Sequence, residues 1–167
     1  MLASRPMTDS DPEDEAMPRG ALAVRVHEQF QDDHDAQRAL CVELEQFADM
    51  LPGMPPPARV RRICAQIECV TSNHFRRAEA LLRDLAAASG DPSREEMLQS
   101  LAEMHALDAV HGQDLIAVLW DSVARGAVEN PGELGYMLRC FFDGCYRAIA
   151  FKESLALLFE GAERDRS

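Results

Sequence analysis

Three histidines, His34, His74 and His105, stand on stripes of otherwise mostly apolar residues recurring in steps of three and four. The first stripe runs Phe30, His34, Gln37, Cys41, Leu44, Ala48, Leu51. The second runs Val60, Ile63, Ile67, Val70, His74, Ala78, Leu81, Leu85. The third runs Leu98, Leu101, His105, Asp108, Gly112, Leu115, Leu119, so Asp108 interrupts it a second time. The fourth runs Leu134, Leu138, Phe141, Cys145, Ala148, with Leu155 and Phe159 beyond. Burying an unpaired imidazole or carboxylate costs on the order of a few kcal/mol. Such residues on a core seam therefore need a partner, and several at one level would make a site. Imidazole and carboxylate at the centre of a helical bundle suit iron, zinc or manganese, with iron favoured where oxygen and nitrogen donors mix.

The elements that must position these residues are helices. Steps of three and four match the core-facing side of a helix in a bundle. The segments are free of internal proline and rich in Ala, Leu, Glu, Gln and Arg, all good helix formers. No sustained alternation of period two predicts a strand. Breakers fall at Leu51 to Pro57, Ser89 to Ser93 and Gly126 to Pro131. Ser93-Arg-Glu-Glu96 predicts a capping box with Ser93 as the cap. Asn130-Pro-Gly-Glu133 predicts an Asn cap followed by proline in the first turn. The expected fold is all-α, an antiparallel up-down-up-down four-helix bundle with helix starts near 22, 57, 94 and 131. At about 1.5 Å per residue, His34, His74 and His105 all fall roughly 17–20 Å above the base. The matching level on the fourth helix lies between Ala148 and Glu153. His27 is expected near the base at the surface and His111 at a rim.

Composition narrows the function classes. The 167 residues suffice for one domain with a core of its own. Residues 1–20 read as a disordered acidic tail, 21–163 as the bundle and 164–167 as a short C-terminal tail. A net charge of −12 argues against nucleic acid and anionic membrane surfaces as partners. No apolar run approaches a membrane span and no apolar leader core opens the chain, so a cytoplasmic protein is expected. Five cysteines without a C-x-x-C pair predict reduced, partly buried thiols rather than a disulfide framework. No hydrolase or phosphate-binding motif is present, and no catalytic role is expected. None of the five histidines follows a Glu by three positions, which argues against a ferritin-like oxidase.

The order of these residues resembles the hemerythrin-like (HHE cation-binding) family over about residues 25 to 160. Asp33-His34 with Gln37 to Cys41 looks like the first-helix motif. His74-Phe-Arg-Arg-Ala-Glu79 looks like the second-helix H-x-x-x-E element, and His105-Ala-Leu-Asp108 like the third-helix motif. Arg139 to Glu153 looks like the last helix. The resemblance implies an antiparallel bundle, a non-haem and usually dinuclear iron centre, and O₂ binding, oxygen or redox sensing, or iron handling. It carries His34, His74, His105 and Glu153 over as ligands. The chain departs from the family at Ala78, Ala109 and Ala148, where ligands are expected and alanine supplies no lone pair. Asp108, one turn from His105, could stand in for a lost ligand, and Glu79 or His111 less easily. The readings are an atypical or weakened iron site with O₂ as small ligand, or a metal-free regulatory bundle with a vestigial site and a protein partner.

Overall fold

The computed structural model describes residues 19–87 and 91–164, with side chains from 28 to 87 and 91 to 159. The regular structure among the described residues is all helical, with no strand. Helix α1 spans Arg19–Met50, α2 Pro57–Cys69, α3 Phe75–Ala87, α4 Pro92–Arg125 and α5 Pro131–Arg164. Between α2 and α3, Val70–His74 forms one turn of π-helix. Val70 and Phe75 keep right-handed helical angles, so α2, the π turn and α3 form one continuous rod. Four rods therefore pack together. No described helix is long and apolar enough to cross a membrane. The expected acidic tail lies outside the described residues up to position 18, and α1 already includes Arg19 and Gly20.

The helix ends follow local chemistry. Asn130 accepts from the Glu133 N–H at 3.2 Å, and its amide donates to the Glu133 carboxylate at 3.1 Å, a reciprocal cap. The α4 cap differs from expectation. Asp91 holds it and accepts from the Ser93 N–H at 3.0 Å and from the Ser93 hydroxyl at 2.8 Å. The reason is Pro92, whose fixed φ and missing N–H suit the first helical position and move the cap back one residue from it. Helix α4 closes on Gly126 at φ 70°, where glycine adopts the left-handed conformation without side-chain cost.

The stripes are the core. Along α4 every stripe residue from Leu98 to Leu119 is buried. The second stripe differs at one position: Leu82 is buried and Leu81 half-buried, while Ala78 and Leu85 are buried as expected. Two apolar clusters form. The larger includes Leu44 and Phe47 of α1, Ile63 and Ile67 of α2, Leu115 of α4 and Phe141 of α5. The smaller includes Phe30, Leu82, Leu101, Leu155 and Phe159. Between the two clusters, α1 buries Asp33, His34 and Gln37, α4 buries His105 and Asp108, and α5 buries Lys152; on the α2–α3 rod His74 is buried at the edge of the larger cluster, next to Phe75.

Candidate functional site

This buried polar layer is the candidate site. His34 is 1% exposed, and its Nδ1 lies 3.2 Å from Glu153 Oε1. Arg38 donates to the same oxygen at 2.7 Å. The Phe30 ring stacks on the imidazole at 5.3 Å. His105 repeats the arrangement across the layer. Its Nδ1 lies 2.7 Å from Glu79 Oε1, and its ring stacks flat on Phe75 at 4.0 Å. His74 places Nε2 3.5 Å from the Cys69 sulfur and 3.8 Å from Asp33 Oδ1. Asp33 is itself clamped by the Arg77 guanidinium. A carboxylate can only accept at Nδ1, so His34 and His105 each donate N–H there and keep a lone pair on Nε2. The buried atoms His34 Nε2, His105 Nε2 and His74 Nδ1 have no hydrogen-bond partner among the described residues.

The fourth rod brings a lysine. Lys152 is fully buried, and its ammonium donates to Gln37 Oε1 at 3.4 Å. It also stands 5.8 Å from the centre of the Phe75 ring, the ring stacked on His105. No described carboxylate lies within ion-pair distance of it. Burial lowers the Lys152 pKa to about 8. Burial first, then the Lys152 charge, lowers His34 to about 4. His105 also falls to about 4, through burial first, with Lys152 adding to the shift. His74 is lowered by burial against the opposing pull of Asp33, and Lys152 adds to that shift as well. One ammonium therefore acts on all three imidazoles, which are neutral at pH 7.

The sequence-predicted site residues are placed as follows. His34, His74 and His105 share the layer. Glu153 and Glu79 sit behind His34 and His105, half-exposed and bonded to the Nδ1 atoms rather than facing the centre. Asp108 is 1% exposed and turns to α5, with Arg147 3.9 Å away. A Cβ on Gly144 would lie 2.5 Å from Asp108 Oδ1, so the glycine makes room for this carboxylate. Burial raises the Asp108 pKa. Ala78 and Ala148 are buried and Ala109 half-buried, none offering a donor. His111 is exposed; the His27 side chain lies outside those described. All five cysteines are free thiols, three of them buried.

Sequence reasoning missed Lys152, Asp33 as a buried group, and the role of Phe75. The signal for Lys152 was present: it is four residues after Ala148 and three before Leu155, on the fourth stripe itself.

These residues do not fit a carboxylate-bridged iron centre. Among the described residues, no three or more His, Cys, Asp or Glu side chains gather as a metal site. With Lys152 deprotonated, three imidazoles and an amine offer no anionic or bridging donor to a metal, because the three carboxylates stand behind the imidazoles. No family model, curated protein or solved structure matches the chain.

Proposed function

We propose that the chain is a hemerythrin-like four-helix bundle of up-down-up-down topology whose metal position has been taken over by the Lys152 ammonium. It is a metal-free binding or regulatory bundle of the cytoplasm, with no catalytic role and a small ligand or protein as its partner. The antiparallel topology is supported by the order of the two apolar clusters. Helix α1 runs from the smaller to the larger, the α2–α3 rod from the larger to the smaller, α4 back and α5 back again. The single observation that carries the metal-free reading is the fully buried Lys152. At an effective dielectric of about 20, a divalent ion roughly 5 Å from an ammonium is repelled by about 7 kcal/mol.

One observation favours iron instead. Three imidazole nitrogens are buried without partners, and each ring is backed by a carboxylate on its other side, as metal-bound histidines commonly are. Anaerobic ferrous reconstitution, followed by metal analysis and an absorbance spectrum before and after air, decides between the two. The expected result is folded protein without stoichiometric iron and no charge-transfer band. One or two irons per chain with such a band would overturn the metal-free reading.

A further inference from the structure

One residue of the polar layer, His105, lines a groove at the surface. The groove, of about 470 Å³, runs between the π turn with α3 on one wall and α4 on the other. Such a volume lies within the range of small-molecule sites, roughly 300–1,000 Å³. It exists because α4 presents three alanines, Ala102, Ala106 and Ala109, where larger side chains would close the gap. Its lining also includes His105, which is 3% exposed and whose buried Nε2 has no partner.

Two opposite charges line the other wall. Arg76 and Glu79 are three residues apart on one helix face, a spacing at which such side chains readily pair. Here they do not. Arg76 donates to the Asn73 side chain at 3.3 Å and makes no ion pair among the described residues. Glu79 turns its Oε1 to His105 and keeps about a quarter of its side chain exposed (24%). The groove thus offers a cation and an anion one helical turn apart above an apolar floor. Side chains at this spacing start about 5–6 Å apart at Cβ. A compact zwitterion with charge-assisted hydrogen bonds of about 2.8 Å at each end spans such a gap.

We propose that this groove binds a small zwitterion of the α-amino acid type. The ligand ammonium sits on Glu79, its carboxylate on Arg76, and an apolar side chain on Ala102, Ala106 and Ala109. The inference deepens the binding reading above by naming a ligand class.

The test is a titration of the full-length ¹⁵N-labelled chain by amide NMR with three probes of one shape: L-leucine, L-leucinamide and 4-methylpentanoate. The first carries both charges, the second only the ammonium, the third only the carboxylate. An open groove and so few ligand atoms set an expected Kd of about 1 mM for L-leucine. L-leucine is expected to shift the amides of residues 71–79 and 102–109. Each singly charged probe is expected to bind at least about tenfold more weakly, the loss of one charge-assisted contact. Arg76→Gln and Glu79→Gln, checked for folding by circular dichroism, are each expected to reduce L-leucine binding to the same degree. No shift with L-leucine, equal binding of all three probes, or full binding by both folded variants would overturn the proposal. Iron uptake overturns only the metal-free reading, and a silent groove in iron-free protein overturns only this one.

Discussion

The larger apolar cluster and the polar layer are built on the same four stripes, a few residues apart. Leu44, Ile67, Leu115 and Phe141 fill one level; His34, His74, His105 and Lys152 fill another. The first level needs nothing beyond close packing. The second buries polar atoms and satisfies them only in part, and only from the outside. Glu153, Glu79 and Asp33 reach the imidazoles from behind, while the centre is left to one ammonium and the Gln37 carbonyl. The comparison shows that the apolar clusters hold the rods together and the layer costs stability. A costly layer on otherwise regular stripes is the mark of a site rather than of a fold.

The contrast can be broken at its strongest point first. Phe47→Ala, in the larger cluster, is expected to lose about 3–5 kcal/mol, read as a drop in the urea midpoint at unchanged slope. Lys152→Met should go the other way and raise stability at pH 7 by about 2 kcal/mol, because an unpaired buried charge is replaced by an apolar chain of similar length.

The pH dependence sharpens the same contrast. The Lys152 pKa is depressed from 10.5 to about 8 on folding. Between those values the unfolded chain binds more protons, so wild-type stability should rise with pH through that window, by about 3 kcal/mol in total. In Lys152→Met this rise should vanish from the urea-unfolding series.

On the acid side, His34 and His105 are depressed from 6.5 to about 4. Their contribution is present above pH 6.5 and is lost as pH falls toward 4. His105→Gln should make that acid limb shallower, leaving the His34 share and the alkaline limb unmoved, as equilibrium unfolding across pH 4–7 would show. The smallest effect is expected at the edge of the layer. Gly144→Ala should lose about 1–2 kcal/mol, measured as a lowered Tm, because its methyl displaces the Asp108 carboxylate.

The helices were legible because apolar steps of three and four, with Asn130 and the prolines at the breaks, state their own ends. The three histidines were legible because an imidazole on an apolar stripe has to be explained. Lys152 was not, since a lysine inside Phe-Lys-Glu-Ser reads as solvated unless its stripe position outweighs its charge. Glu153 is one residue along from Lys152 and Glu79 one along from Ala78. A rotation of about 100° per residue decides which of each pair faces inward. The π turn at Val70–His74 carries no sequence mark, since Val, Thr, Ser, Asn and His also occur in a regular helix.

The central claim, that an ammonium stands where a metal would, is tested most directly at Lys152 itself. Its ε-carbon resonance would be titrated by NMR in anaerobic protein, with and without equimolar ferrous iron. The account gives a midpoint near pH 8 and a signal that iron neither shifts nor broadens. A midpoint at the ordinary lysine value, or a resonance broadened away by bound iron, would contradict it.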